Sequence, residues 1–195
     1  MENTYFLIRH GESLLNSQKR HQGWRPRNPI TKQGVKQAKE ASEKLRNQGI
    51  QIIYASPLLR TRQTARIIAG KINKPIYFSH KLKDFRRCKQ HEGLHIDEYS
   101  QRPDYLLWKE MSKIDDTFSL PEGESEKDFI KRVVDFAKSL DKNIHGQYIA
   151  VVAHQAVIRQ LILYWTEEPI DAKEIDNACV YKVYPKTKEK YCLAE

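Results

Sequence analysis

Two apolar runs in this chain each end in a histidine, and they constrain the fold more than any other feature. Residues 4–9 lead to His10, and residues 148–153 lead to His154. Short apolar runs of this length are typical of buried strands in a parallel sheet. Ligands of open α/β sheets bind in the crevice beyond the carboxyl ends of the strands. We therefore expect both histidines to face one shared site.

The rest of the chain alternates predicted strands with predicted helices. Strands are predicted at 4–9, 50–55, 75–79, 148–153 and 178–184, with a short final strand near 191–194. Helices are predicted at 31–47, 57–73, 103–113, 125–141 and 156–165. This alternation favours an α/β fold with three layers, α/β/α, in which a mainly parallel central sheet is covered on both faces.

The 195 residues fit one domain, spanning 1–195. A charge-rich, irregular stretch with one predicted helix, about 80–122, is expected to form a small inserted cap. No apolar run approaches the roughly 20 residues that cross a bilayer, and the first residues do not resemble a signal peptide. We therefore expect a cytoplasmic protein that does not bind membranes.

The charge balance alone does not identify a partner. The chain has 34 Lys and Arg against 25 Asp and Glu, a formal net charge of +9. Much of the excess lies on predicted helix faces and in the segment 186–190, where a solvated surface is the simplest explanation. We expect no nucleic-acid partner, although a polyanion-binding protein is the alternative that this charge leaves open.

Cysteine and histidine spacing indicates neither disulfides nor a metal site. The three cysteines, Cys88, Cys179 and Cys192, include no Cys-x-x-Cys pair and are expected to be free thiols. His91 and His95 are four residues apart but have no evident third ligand, so no metal and no other cofactor is expected. His21 and His80 lie in polar segments, where we expect them to face solvent.

The residues after the first strand suit a phosphate group. Arg9 and His10 adjoin Gly11, which lets the chain turn and brings backbone amides close to a ligand. After the second strand, Pro57 predicts a helix start that places Arg60 in the first turn, near the same edge of the sheet. A guanidinium from each segment would then face the crevice.

Several separated motifs together resemble the histidine phosphatase superfamily, also called the phosphoglycerate-mutase-like family. The resemblance runs from residue 4 to about 184. The matching positions, in chain order, are Arg9 to Ser13 with Asn16; Arg20, Gln22 and Gly23; Thr31, Gly34, Gln37 and Ala38; Ser56 to Leu58, Arg60 and Gln63 to Ala65; Gly123 to Ser125; and His154 with Val157 to Arg159.

The resemblance implies a phosphoglycerate-mutase-like fold and a phosphohistidine mechanism. His10 would be the nucleophile, because a covalent intermediate splits one difficult transfer into two easier ones. Arg9, Arg60 and His154 would hold the phosphoryl oxygens, with His154 protonated or donating a hydrogen bond. The family's further hydrogen bonds to phosphate or substrate would come from Asn16, Gln22 and Gly23.

Two positions depart from the family's pattern. The general acid of the family is commonly a glutamate, whereas this chain has the shorter Asp84, with Glu92 as the alternative acid. The family commonly has glycine after its second histidine, whereas this chain has Gln155, whose side chain would crowd the site or contact the substrate. Four arginines would line the entrance and favour a substrate with a second anionic group, unless they form a solvated basic loop. They are Arg25, Arg27, Arg86 and Arg87.

These features predict a metal-independent phosphatase of the histidine acid type, acting on a small phosphorylated substrate. The short chain and the motif Arg20-x-Gln22-Gly23 favour this branch over the mutases, which must exclude water from their phosphoenzyme. Two alternatives stay open: a phosphoglycerate-type mutase, and a weakly active or inactive domain that binds phosphorylated ligands. The identity of the substrate and the oligomeric state are not predicted.

Overall fold

The computed structural model describes residues 2–193, which form one six-stranded sheet with helices on both faces. The strands are β1 (Thr4–Arg9), β2 (Ile52–Ala55), β3 (Ile76–Phe78), β4 (Tyr148–Ala153), β5 (Val180–Tyr184) and β6 (Glu189–Cys192). The α-helices are α1 (Leu14–Ser17), α2 (Lys32–Leu45), α3 (Leu59–Ile72), α4 (Ile96–Ser100), α5 (Pro103–Met111), α6 (Glu126–Asn143) and α7 (Gln155–Thr166).

The strand order is β3-β2-β4-β1-β5-β6, and β3, β2, β4 and β1 run parallel. β5 pairs antiparallel with β1, and β6 pairs antiparallel with β5. The expected α/β/α fold with a mainly parallel sheet is confirmed. The last strand begins and ends earlier than the predicted 191–194, and Ala194 lies outside the described residues.

Alternating side chains of the central strands build a separate core on each face of the sheet. Phe6 and Ile8 of β1 pack with residues of α2 and α3, whereas Leu7 packs with residues of α6 and α7. Helix α6 shows why these helices dock. Ser125 caps its first turn by accepting a hydrogen bond from the backbone of Asp128 (3.1 Å), and five side chains on one face are buried: Phe129, Val133, Phe136, Ala137 and Leu140.

The segment 80–122 contains α4, α5 and two 3-10 turns, His80–Leu82 and Lys89–His91. It is attached to the rest of the protein by polar contacts that cross the fold. Arg132 of α6 donates to the backbone carbonyls of Lys81, Lys83 and Asp84 at 2.7 to 2.9 Å, and it pairs with Glu124. These bonds fix the position of residues 81–84 relative to the sheet.

The loop after β1 packs backbone to backbone against the first turn of α2. A Cβ atom added to Gly34 would overlap the carbonyl oxygen of Glu12, and one added to Gly11 would overlap the carbonyl oxygen of Gly34. Thr31 completes the contact, because its backbone N–H donates to the Glu12 carbonyl (2.8 Å) and its hydroxyl caps Gly34 (3.0 Å). This contact sets the path of the chain directly after His10.

Gly34→Ala should lower the free energy of unfolding by at least about 2 kcal/mol, because backbone atoms on both sides must shift. Gly70→Ala is the matched control in α3, where an added Cβ meets nothing within 4 Å. It should raise stability by about 0.5–1 kcal/mol, since alanine is the better helix former. Urea unfolding of both variants measures the difference; equal effects would contradict the close contact.

Candidate active site

The site lies at the carboxyl ends of β1 and β4, which are neighbours in the sheet. The register pairs Arg9 with Ala153, so His10 and His154 follow at the same level. Their ring centroids are 5.3 Å apart, with the rings inclined by 62°. Both rings are buried. The structure therefore brings the two histidines together at one edge, as their positions after the strands predicted.

One ring nitrogen of His10 is held by the backbone. Its Nδ1 lies 2.8 Å from the carbonyl oxygen of Gly11. A carbonyl oxygen only accepts, so Nδ1 carries the proton and donates, which leaves the lone pair on Nε2. Burial lowers the pKa of His10 well below its usual value, and the nearby charges of Arg60 and Arg9 lower it further. The ring is therefore neutral and has a nucleophilic Nε2.

His154 is oriented by a serine that follows β2. Its Nε2 lies 2.9 Å from Ser56 Oγ, while the backbone N–H of Leu58 donates to the same oxygen at 3.4 Å. The Asp84 carboxylate, 3.7 Å from Nδ1, favours the tautomer with the proton on Nδ1, so the Ser56 hydroxyl donates to Nε2. Burial and then the charge of Arg60 lower the pKa of His154 well below its usual value. A neutral ring that accepts at Nε2 keeps its proton on Nδ1, which faces the site as a hydrogen-bond donor.

Two guanidinium groups supply the positive charge. Arg60 is fully buried, and its Nη2 donates to the Gly23 carbonyl (2.9 Å) and to Asp84 Oδ2 (3.1 Å). Its Nε and Nη1 have no partner among the described residues. Burial lowers the pKa of Arg60, while Asp84 opposes that shift. Arg9 donates from Nη1 to the Ile175 carbonyl (2.7 Å), and its Nε also lacks a partner within residues 2–193. Buried donors of this kind suit an anion with several oxygens.

The two candidate acids occupy different surroundings. Asp84 Oδ2 contacts Arg60 and lies 3.7 Å from His154 Nδ1, and its side chain is partly exposed to the same cavity as His10. Glu92 instead accepts from the backbone N–H of Trp24 (2.8 Å) and pairs with Arg86 (3.0 Å). Because Glu92 supports the loop and does not line the cavity of His10, the geometry favours Asp84 as the acid.

The remaining predicted binding residues lie on the loop after β1. Asn16, Gln22 and Gly23 all line the cavity of His10, which has a volume of about 370 Å³. The side-chain oxygen of Asn16 accepts from the backbone N–H of Ser13 (3.1 Å), and that of Gln22 accepts from Asn28 Nδ2 (2.8 Å). Their amide nitrogens remain as the donors available to a ligand. Gly23 has a φ of +47°, and a side chain there would collide with Glu92.

The Gln155 side chain was expected to crowd the site or to contact the substrate, but it is bonded to a neighbouring loop and does not crowd the phosphate site. Its side-chain Nε2 donates to the carbonyl oxygen of Ala172 (2.7 Å), which draws the side chain toward the 3-10 turn Ala172–Glu174. The residue still lines the cavity, and its backbone N–H lies in the first turn of α7. The side chain that replaces glycine here therefore anchors a neighbouring loop.

Sequence reasoning missed several residues that the fold brings to the site. Ser56 was seen as part of a motif, but its contact with His154 depends on the pairing of β2 with β4. Asn177 donates to the His10 carbonyl (3.0 Å) from a loop 167 positions away. Arg159 also lines the cavity. No local signal marks Asn177, whereas Arg159 belongs to a motif already noted.

The expectation that His21 faces solvent was wrong. Its ring stacks on Tyr99, with centroids 4.5 Å apart, and lines the cavity of His10. Burial and the charge of Arg87 lower its pKa to about 4. The apolar neighbour Tyr99 comes from α4, a helix that the sequence analysis did not predict, so the burial of His21 had no visible cause in its own polar segment.

The basic residues near the entrance do not form one group. Arg25, Arg27 and Arg86 line a separate cavity beside Trp24, and only Arg87 reaches the cavity of His10. Of the two spaced histidines, His91 is buried and bonded to Asp104 (2.9 Å). Within residues 2–193, no group of three or more histidine, cysteine, aspartate or glutamate side chains is arranged to hold a metal ion.

Comparison with known proteins agrees with this geometry. The model of the histidine phosphatase superfamily (branch 1) matches residues 5–194.

The chain belongs to this superfamily.

This histidine phosphatase is similar to solved structures over nearly its whole fold. It superposes on an alpha-ribazole phosphatase from Shigella flexneri with a TM-score of 0.78 and 25% identity, covering 97% of this chain and 94% of that one. A phosphoserine phosphatase from Entamoeba histolytica, solved with 3-phosphoglyceric acid, gives a TM-score of 0.79 and 26% identity over 98% and 95% of the two chains.

Curated relatives match over a shorter stretch. A protein named "Probable phosphoglycerate mutase GpmB" from Yersinia pestis (strain Pestoides F) is 36% identical over 129 residues. The match covers 66% of this chain and 58% of that relative, so it spans little more than half of the curated protein. Among the described residues, none of the helices has the length and apolar character needed to cross a membrane.

Proposed function

We propose that this protein is a phosphomonoesterase that hydrolyses a small phosphorylated substrate through a phosphohistidine on His10. The observation that carries the proposal is the buried, neutral His10, whose Nδ1 is bonded to Gly11 and whose Nε2 is left as the nucleophile. Nearby donors from Arg9, Arg60 and His154 provide positive potential for the transferred group. Phosphoryl transfer depends mainly on such positioning and charge stabilisation.

The first step forms a bond between His10 Nε2 and phosphorus and breaks the bond to the leaving oxygen. The phosphoryl oxygens accept hydrogen bonds from His154 Nδ1 and from Arg60 Nη2, where they displace Asp84 Oδ2. Once it is displaced from Arg60, the Asp84 carboxylate takes up the acidic proton of the phosphate monoanion and gives it to the leaving oxygen. The product of the step is an alcohol and a phosphohistidine.

The second step reverses the role of Asp84. Water attacks the phosphorus of the phosphohistidine and loses a proton to the Asp84 carboxylate, and the P–N bond electrons return to His10 Nε2. Inorganic phosphate leaves with that proton, so Asp84 is again the carboxylate that pairs with Arg60.

We further propose that the reaction needs no metal and proceeds at mildly acidic to neutral pH. The guanidinium groups of Arg9 and Arg60 supply the charge that a divalent cation supplies in other phosphoryl-transfer enzymes. The lowered pKa of His10 keeps its nucleophilic form below the usual titration range of histidine. Free thiols at Cys88, Cys179 and Cys192 support a reducing, cytoplasmic setting.

The mutase alternative is kept because curated relatives carry the name phosphoglycerate mutase. Solved structures that cover nearly all of this chain include an alpha-ribazole phosphatase and a phosphoserine phosphatase, which favours hydrolysis. A mutase would return the phosphoryl group to the substrate and would need a bisphosphorylated primer, so the fate of the phosphate separates the two activities.

His10→Ala should abolish phosphate release from a panel of phosphomonoesters assayed without metal, because it removes the proposed nucleophile. His80→Ala is the matched control, since His80 is exposed on the 3-10 turn after β3. We expect it to keep wild-type rates. Phosphate release that persists in the His10 variant, or transfer without release in the wild type, would contradict the phosphatase assignment.

Asp84→Asn should lower kcat for an alkyl phosphate by about 100-fold or more, because the amide can neither protonate the leaving oxygen nor accept a proton from water. With 4-nitrophenyl phosphate as the substrate, the loss in the rate of enzyme phosphorylation should be smaller, because its leaving group needs no proton. Glu92→Gln is the comparison and should keep kcat within a few-fold if its Tm is unchanged. Steady-state and burst kinetics give these values; the opposite ranking would assign the acid role to Glu92.

A further inference from the structure

A second cavity continues from the site on the side of the proposed acid. The second cavity, of about 210 Å³, shares four lining residues with the cavity of His10: Phe85, Arg87, Ala156 and Arg159. The cavity beside Trp24 shares none of its lining residues with that of His10. The cavity of His10 is therefore extended toward the second cavity and not toward the cavity beside Trp24.

The chemistry fixes which part of a substrate points that way. In the proposed mechanism the leaving oxygen lies beside the Asp84 carboxyl group, since that group protonates it. Phe85 is the next residue in the chain and lines both cavities. The atoms attached to the leaving oxygen are thus directed past Phe85 toward the second cavity.

Seven of the eleven residues that line the second cavity are apolar, and the other four are Arg87, Glu126, Arg159 and Gln160. Phe85, Phe129 and Ile170 are buried side chains on its wall, whereas Ile130 and Leu163 are 40% and 39% exposed. Exposed apolar side chains on facing helices gain free energy when another apolar group covers them. The occupant that the cavity suits is therefore apolar in the part that lies beyond the phosphate.

The junction between the cavities suits a flat group. The Arg87 guanidinium lies 4.8 Å from the Phe85 ring and 4.6 Å from the Trp108 ring, so it already takes part in aromatic stacking. Arg159 on the other side is fixed by donating from Nε to the Ile170 carbonyl (3.1 Å). Ala156 also lines both cavities, and its short side chain takes up little room at the junction.

We infer that the substrates of this site are phosphomonoesters whose leaving group carries a bulky apolar portion, an aromatic ring in particular, which binds in the cavity between α6 and α7. This inference rests on the proposed function, because it uses the direction of the leaving group. It assigns the choice of substrate to Phe85, Phe129, Ile130, Leu163 and Ile170, none of which acts on phosphorus.

The test compares 3-phenylpropyl phosphate with propyl phosphate, whose leaving alcohols have nearly equal acidity. In the wild type, kcat/KM should be about 30-fold higher for the phenyl compound, because burial of an aromatic ring contributes much more binding free energy than burial of one methylene group. In Ile130→Ser/Leu163→Ser this ratio should fall to about fivefold or less. A wild-type ratio near one, or a ratio unchanged in the double variant, would overturn the inference.

Leu106→Ser/Leu107→Ser on α5 is the matched control, because these leucines are 46% and 54% exposed and line neither cavity. It should keep the wild-type ratio. A fall as large as that in the Ile130/Leu163 variant would show that loss of any exposed apolar surface causes the effect, and would overturn the assignment of the cavity.

Binding to the full-length His10→Ala variant separates this inference from the proposed function, because the ligand is not consumed. Titration calorimetry should show tighter binding of 3-phenylpropyl phosphate than of propyl phosphate, with the difference lost when Ile130 and Leu163 are also replaced. If the wild type hydrolyses neither compound but this preference holds, the proposed function fails and the subsite stands. Equal binding of both compounds would refute the subsite even if both are hydrolysed.

Discussion

The hydrogen bond from His10 Nδ1 to the Gly11 carbonyl is the interaction on which the rest of the site depends. It assigns the ring proton to one nitrogen and leaves the other as the nucleophile without any partner side chain. Its geometry requires the sharp path of the chain after β1, which the close backbone contact between Gly11 and Gly34 holds in place. The packing of a loop against α2 thus determines which atom can attack phosphorus.

The electrostatics of the site follow from burial. Arg60 is fully buried with one carboxylate partner, Asp84, and together with Arg9 it keeps His10 and His154 neutral by lowering the pKa of each. The positive potential that disfavours a protonated histidine ring also favours the binding of an anion with several oxygens. Asp84 is therefore both the counterion of the unliganded site and, in the proposed reaction, the proton carrier.

Local patterns in the sequence predicted the sheet, most helices and the placement of His10, His154 and Arg60 at one edge. They could do so because short stretches of neighbouring residues determine strand periodicity and helix starts. They did not predict α4, whose Tyr99 buries His21, or the contact of Asn177 with the His10 carbonyl. They left open whether the Gln155 side chain crowds the site or contacts the substrate, and did not predict its bond to the Ala172 carbonyl. Each of these features depends on segments distant in sequence, and the single chain carries no local signal for their contact.

The most direct measurement of the central claim is the position of phosphate on a trapped phosphoenzyme. The enzyme is mixed with substrate, quenched in alkali within milliseconds, and examined by ³¹P NMR and by mass spectrometry of its peptides. The account predicts one phosphohistidine, at His10, with phosphorus bonded to Nε2, because Nδ1 is occupied by Gly11. Phosphate on Nδ1, on His154 or on another residue, or turnover with no phosphoenzyme at any time, would contradict it.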